Sequence, residues 1–588
     1  MRNRITGALM VAALGVLVHP ATAAEPAWVT ASNANTRLVL EVEGRFDPEQ
    51  MSAFGMSQFD GLVADVAPGR NERLVAALEA LQATLKQRLA VTTDVNVRQD
   101  LEILLASVTR DITGARLATK YYRTWVDVPK VVFSGVQGLL NDQVAPERRA
   151  KVVELLRRHA GQYPGTRPTT ELVRESFRQS GGNGRQGPFR TDVDESLANA
   201  PTYLQGIRDA VAKYGIEGAE PPLRALEAQF ADFGAWNRAE VMPTTRTDPR
   251  LPPELYAFTL TSVGIDVEPQ VLIQRGMLEF METRAAMTAL APIVAKEKGF
   301  AATSYPEVIR QLKKDQIPND RIEAWYADVN RKLEAIVRRE RVVDLPQRPM
   351  VMRVASAAES AANPSPHMQP PPLIVNTGER GQFVLALGNT AGDGQALRYD
   401  DFSHPAATWT ISAHEGRPGH ELQFTAMVER GVSQARSLFA FNNVNVEGWA
   451  LYAEAEMLPY LPVDGQLIAL QFRLFRAARA FLDPMINLGM IDRAKAERVL
   501  KEQVVMSAAF TKEDVDRYTF RSPGQATAYF YGYTRVMQLR AETELALGDR
   551  FDRLAFHNFI LDQGLLPPDL LAKAVREQFI PAQQDAPK

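Results

Sequence analysis

Apolar residues recur at helical spacing along most of the chain. Between residues 71 and 90, Leu74, Leu78, Leu81, Leu85 and Leu89 are separated by polar and charged positions. Residues three or four apart share one helix face, so this stretch predicts an amphipathic helix with a leucine stripe turned to a core. The same period runs through residues 100–118, 146–160, 219–239, 269–295, 321–340 and 465–482. The fold class expected is mainly α.

Three stretches break the pattern. Residues 180–191 are rich in glycine and polar side chains and read as a loop. Residues 356–372 are rich in Pro, Ala and Ser and end in Gln369-Pro370-Pro371-Pro372, which predicts a segment crossing the surface between two lobes. Residues 381–389, Gly381-Gln382-Phe383-Val384-Leu385-Ala386-Leu387-Gly388-Asn389, read as a short strand bounded by glycines. Such a strand could pair along an open edge with an extended peptide, or be an ordinary buried strand. There is no internal repeat and no sustained heptad.

Composition narrows the class. The chain has 588 residues, 45% hydrophobic and 23% charged, enough for several cores or one large lobed domain. A net charge of −3 without a long basic run gives no support for nucleic acid or an anionic membrane as partner. Arg2 and Arg4 precede an apolar stretch over 5–18, too short for a membrane span, followed by Ala21-Thr22-Ala23. Residues 1–23 are therefore expected to be a signal peptide, leaving a mature domain over 24–588. Removal of both arginines takes the net charge from −3 to −5. With no cysteine, the chain has no disulfide, no thiolate ligand, no cysteine nucleophile and no site for a lipid on cysteine. The expected location is periplasmic or secreted, with no membrane anchor after cleavage, and any metal must be held by His, Asp or Glu.

The chemistry concentrates in His414-Glu415-Gly416-Arg417-Pro418-Gly419-His420-Glu421-Leu422-Gln423, which holds two of the seven histidines. On a straight helix, histidines four apart share a face, whereas six residues advance about 600° and leave these two on different faces. Pro418 lies four residues after His414, where its ring would clash with the His414 carbonyl, and Gly419 adds backbone freedom. The helix is expected to break there and resume at His420, turning the second imidazole back toward the first. Glu447 opens Glu447-Gly448-Trp449-Ala450-Leu451-Tyr452-Ala453-Glu454 and is the candidate third ligand for zinc, one ion per chain. Glu454, seven residues on, is placed to orient a ligand histidine. Glu415 is the candidate general base toward a metal-activated water.

These residues resemble a large bacterial family of uncharacterised proteins with the pattern HExxPGHxxQ, similar to the thimet oligopeptidase and carboxypeptidase Taq families of zinc peptidases. Glu447 to Tyr452 matches its EGWALY segment. Arg517-Tyr518, Pro523-Gly524-Gln525-Ala526 and Tyr529 match its RY…PGQA…Y segment, and Gly548 to Asp552 with Phe556-His557 match GxxFD…FH. The resemblance is clear from about Trp409 to Leu571. It implies a large helical metallopeptidase-like fold with a deep cleft, a small β element beside the active-site helix, zinc at the cleft floor and peptide substrates. The lobes are expected at about 24–355 and, for the catalytic one, 373–588. It implies His414, His420 and Glu447 as ligands, Glu415 as base, and Tyr529 as an oxyanion donor, though Tyr529 could equally be a core aromatic. Arg517 and Arg521 are candidates to bind a substrate carboxylate or to form structural salt bridges. His404 could reach the cleft, whereas His557 reads as a core histidine. Two positions depart from the family: Glu421 stands where a second histidine is common, and Asn487 replaces the histidine of an RxxxDTGxH-like segment beginning at Arg479.

The expected function is a zinc-dependent peptidase. The alternatives are a zinc hydrolase of another amide or ester, and a catalytically silent peptide-binding protein, which would not need Glu415. The sequence does not set the oligomeric state.

Overall fold

The computed structural model describes residues 26–182, 184–389 and 397–585. The expected signal peptide over 1–23 lies outside the described residues. Among the described residues the architecture is mainly helical, with two small sheets. The leucine stripe of 71–90 lies on the helix Arg70–Val91, with Leu78, Leu81 and Leu85 buried. Asp94 starts the next helix, Val95–Tyr121, by accepting from the amides of Asn96 and Val97, a cap worth about 1 kcal/mol. The 146–160 pattern divides into Pro146–Arg149 and Val152–His159. The patterns at 269–295, 321–340 and 465–482 become the helices Pro269–Lys298, Asn319–Arg339 and Val463–Asn487. Among the described residues no helix is long and apolar enough to cross a membrane.

The cores join distant parts of the sequence. One apolar cluster runs from Val39, Leu101 and Leu104 through Val337 to Trp449, Tyr452, Phe556 and Phe579. A second gathers Phe383, Phe402, Ile411, Phe472 and Phe475. The Pro269–Lys298 helix lies along Val463–Asn487, with the Phe280 ring edge-on to Phe481 at 5.5 Å.

The principal sheet has strands β1 (Val351–Val354), β2 (His367–Gln369) and β3 (Gln382–Leu385) in the order β1-β3-β2. β3 is parallel to β1, with Val351 opposite Gln382, and antiparallel to β2, with His367 opposite Val384. This corrects the open-edge expectation for residues 381–389. Phe383, Val384 and Leu385 are buried, and the strand has neighbours on both sides, so it has no free ladder for a substrate. The run also divides, since Gly388–Asn389 pairs separately with Leu397–Arg398.

The 356–372 segment is only partly a surface crossing, with Ser356, Ala357, Asn363 and Pro370 exposed and Ala358, Ser360 and Ala361 buried. Ser356 and Glu359 cap the helix Ala357–Ala362 reciprocally, and Ala358 and Ala361 enter a third core with Phe133 and Tyr203. The segment then supplies β2, which lies against the helix His420–Arg430. Small alanine side chains let this Pro-rich stretch pack inward, which composition alone did not reveal.

Candidate metal centre

The helix Pro405–Glu415 ends within the motif, and a second helix starts at His420. The connecting turn folds back onto the helix it leaves. A Cβ on Gly419 would lie 2.0 Å from the His414 carbonyl oxygen, so only glycine fits there. The Trp449 indole donates to the Pro418 carbonyl at 3.0 Å, tying the turn to the helix Asn443–Met457. The break predicted from Pro418 and Gly419 thus brings the imidazoles together, with ring centroids 4.7 Å apart and planes at 80°.

Glu447 reaches the same point from the second turn of Asn443–Met457. Its Oε2 lies 3.3 Å from His420 Nε2 and 3.6 Å from His414 Nε2. Candidate ligand atoms from His414, His420 and Glu447 all lie within 4.8 Å of one another, and all three residues are buried. Glu447 Oε2 has no hydrogen-bond partner despite its burial. An ionised carboxylate in that position costs several kcal/mol unless a cation or proton compensates it. Two imidazoles and a carboxylate suit a borderline metal such as zinc, and three protein ligands leave a fourth position open. The donor set therefore fits a divalent ion.

Glu454 sits behind His414. Its Oε1 lies 2.7 Å from His414 Nδ1, while its Oε2 accepts from the Thr410 hydroxyl at 2.6 Å. Arg476 lies 3.3 Å from the same carboxylate. Burial disfavours charge on His414, but Glu447 and Glu454 outweigh it and push its pKa up to about 9. Burial also opposes ionisation of Glu447, yet His414 and His420 hold it well below the usual carboxylate range. The surplus of carboxylate that holds a proton on His414 also favours a cation there.

A cavity of about 990 Å³ opens onto this group, lined among others by Glu415, Tyr529, Arg479 and Arg517. Glu415 Oε1 is 4.0 Å from His414 Nε2. Tyr529 stacks nearly parallel to the His414 ring at 6.1 Å, and its hydroxyl accepts from Arg517 Nη2 at 3.0 Å. Burial raises its pKa against the pull of Arg517, so the phenol keeps its proton at neutral pH. Tyr529 is carried on the helix Ala528–Leu547, which packs against Asn443–Met457 through Gly448 and Gly532. A Cβ on Gly532 would lie 2.0 Å from the Val444 carbonyl oxygen.

His404 does not reach this cavity. It precedes the Pro405–Glu415 helix at its far end, and ten residues at 1.5 Å rise separate it from His414 by about 15 Å. Its ring is buried with no hydrogen-bond partner among the described residues, and burial first, then Lys313, lowers its pKa to about 3. Arg521 lines the cavity, but Glu195 at 2.7 Å and Glu513 at 3.0 Å hold it. Asn487 lies outside the lining and donates to the Asp483 and Tyr518 carbonyls, so its departure from the family pattern falls away from the centre. Glu421 is 0% exposed and pairs with Arg417, which fastens the turn instead of facing the cavity. His557 is the expected core histidine, between the Tyr452 hydroxyl and the Val342 carbonyl.

The sequence reading missed much of the cavity wall. The helix Arg190–Lys213 contributes Asp192, Glu195 and Tyr203, and the β2 segment contributes His367 and Met368. These are ordinary polar or apolar positions of an amphipathic helix and a short strand, and no motif marks them.

Fold and site define a mainly helical protein with a buried His-His-Glu group able to hold a metal ion. The chain belongs to the family described as "Bacterial protein of unknown function (DUF885)", which it matches over residues 48–575. It is similar in fold to "the putative lipoprotein from Colwellia psychrerythraea", with 17% identity, TM-score 0.73, and coverage of 94% of this chain and 99% of that one. It is also similar to "a putative lipoprotein of unknown function from Shewanella oneidensis", with 19% identity, TM-score 0.67, and coverage of 94% and 100%. No curated protein matches the chain.

Proposed function

We propose that the protein is a zinc-dependent peptidase acting on short peptides, related to the thimet oligopeptidase and carboxypeptidase Taq peptidases. The observation that carries this reading is the convergence of His414, His420 and Glu447 within 4.8 Å in the lining of a cavity that Glu415 also lines. His414, His420 and Glu447 would hold the zinc ion, which when bound would supply Lewis acidity toward a water and a carbonyl. Glu415 takes the proton of the attacking water on its carboxylate and returns it to the leaving amine. The protonated Tyr529 hydroxyl donates to the oxygen on which negative charge develops. Glu454 fixes His414 with Nδ1 as donor, leaving Nε2 for the metal.

Size argues for short peptides. The cavity, at about 990 Å³, is at the upper end of the usual range for small-ligand pockets. β2, with His367 and Met368 on the wall, is an edge strand and offers the extended-peptide pairing that the central β3 cannot.

The test is metal content by mass spectrometry together with cleavage of a mixed-peptide library, on wild type and Glu415→Gln. About one zinc per chain in both proteins, with cleavage by wild type alone, is the expected result. Zinc without cleavage would exclude the peptidase reading in favour of another substrate or a silent binder. No metal after zinc addition would remove its basis.

A further inference from the structure

One side of the Tyr529 hydroxyl is already engaged. Five arginines line the cavity, Arg110, Arg476, Arg479, Arg517 and Arg521, and among the described residues only Arg517 donates to Tyr529. The bond runs from Arg517 Nη2 to the phenol oxygen at 3.0 Å. A guanidinium has donors and no acceptor, so this bond occupies a lone pair of the phenol and leaves its proton uncommitted. Among the described residues no protein group accepts that proton, and the side chain lines the cavity. The free direction for the O–H is therefore the cavity itself.

Both partners are held in place. The Tyr529 ring stacks on His414, and Arg479, fixed by Asp514 at 2.5 Å, lies 4.7 Å over it. Gln525 holds the guanidinium. Its Oε1 accepts from the same Arg517 Nη2, and its Nε2 donates to Glu447 Oε1 at 3.5 Å. A line of four side chains, Glu447, Gln525, Arg517 and Tyr529, thus joins a metal-binding carboxylate to the phenol. A hydroxyl that accepts from a cation is also polarised toward donation, so the same bond that aims the proton strengthens it as a donor.

We propose that Arg517 is a positioning residue for the reaction: by occupying one lone pair of Tyr529 it aims the phenol proton into the cavity, at the oxygen on which negative charge develops. The inference rests on the peptidase reading above and adds a residue to it. No bond is made or broken at Arg517, and the phenol keeps its proton throughout.

The role can be tested through Tyr529 without turnover. The probe is a phosphinic analogue of tetra-alanine, in which a tetrahedral anionic group replaces the central peptide bond, titrated calorimetrically into the zinc-loaded full chain. The proteins are wild type, Arg517→Gln, Tyr529→Phe and the double variant. Tyr529→Phe should weaken binding about tenfold or more, the scale of one hydrogen bond to a charged group. Arg517→Gln should weaken it about threefold or more, the share carried by a polarised and aimed donor. That loss should vanish in the Phe background, because a residue acting through a hydroxyl has nothing to act on once the hydroxyl is gone. Arg517→Lys should recover part of the affinity, since an ammonium also donates to the phenol oxygen. Zinc content should stay at about one per chain throughout.

Losses that multiply in the double variant, whether from direct contact with the ligand or from disturbed folding, would overturn the proposal. So would an affinity indifferent to either single change, a fall in the zinc content of Arg517→Gln, or no binding of the probe by wild type. Cleavage assays on the same proteins separate the two readings. On a peptide that wild type cleaves, Arg517→Gln should lower kcat about tenfold with little change in KM, part of the 10²–10³ carried by a whole donor. A rise in KM alone would place Arg517 on the substrate and overturn the proposal. Coupled binding losses with no cleavage of any peptide would sustain the role of Arg517 and end the peptidase reading, and cleavage with uncoupled losses would do the reverse.

Discussion

Glu454 Oε1 lies 2.7 Å from His414 Nδ1, so a carboxylate on one helix sets the orientation of an imidazole on another, forty residues earlier in sequence. The pairing leaves His414 Nε2 turned toward His420 and Glu447. The carboxylate is itself held by Thr410 and Arg476, so it cannot swing away from the ring.

Glu454→Gln keeps the shape and removes the charge. Carboxylates that support a metal-binding histidine are worth about 10–100-fold in affinity. Zinc affinity, measured by competition with a chromophoric chelator, should fall by that factor while the circular dichroism stays unchanged. Unchanged affinity would show that Glu454 serves packing alone.

Tyr529→Phe removes one hydroxyl from the cavity wall. If that hydroxyl donates to the developing oxyanion, kcat falls by about 10²–10³, the usual cost of one such donor. KM and zinc content should change little, and steady-state kinetics beside metal analysis would show the split. A fall in zinc content instead of kcat would place Tyr529 in support of His414.

Gly532→Ala probes the contact that brings Glu447 and Tyr529 to one place. The added methyl would fall 2.0 Å from the Val444 carbonyl oxygen, against rigid backbone, so the two helices must separate. Overpacking of this kind costs about 1–3 kcal/mol. Both the thermal midpoint and the zinc affinity should drop, because the same separation moves Glu447.

His557 gives a pH-dependent prediction. Burial lowers its pKa to about 3, and the neutral ring bonds both Tyr452 and Val342. A histidine in the unfolded chain titrates near 6.5. Above that value neither state is protonated and the stabilisation is complete. As pH falls from 6.5 toward 3 the unfolded state gains a proton that the folded state refuses, and stability is lost. The destabilisation caused by His557→Gln should therefore be largest at pH 7 and shrink by about 1.4 kcal/mol per pH unit below pH 6. Urea unfolding of both proteins at pH 7 and pH 5 measures it, and a penalty independent of pH would refute the assignment of the neutral ring.

Long-range assembly is where sequence reading ran out. The edges of the sheet belong to β1 and β2, because β3 pairs with both and lies between them. His404 seemed close to the centre when counted along the chain, but a straight helix carries it away at 1.5 Å per residue. Arg517 and Arg521, four residues apart, could not be distinguished until Glu195 and Glu513 were placed beside Arg521, and the Gln525 amide and Tyr529 hydroxyl beside Arg517.

The sequence by itself determined the helices with a clear apolar period, the break at Pro418-Gly419 and the residues able to hold a metal. Those depend on local causes: the period of apolar positions, a proline without an amide hydrogen, and the scarcity of histidine. Only the tertiary structure decided how closely His414, His420 and Glu447 converge, which strands are the edges, and that part of the cavity wall comes from the helix Arg190–Lys213. Such contacts join segments far apart in the chain. They are fixed by which apolar faces pack together, as Gly448 on Gly532 does here, and neither residue alone records its partner.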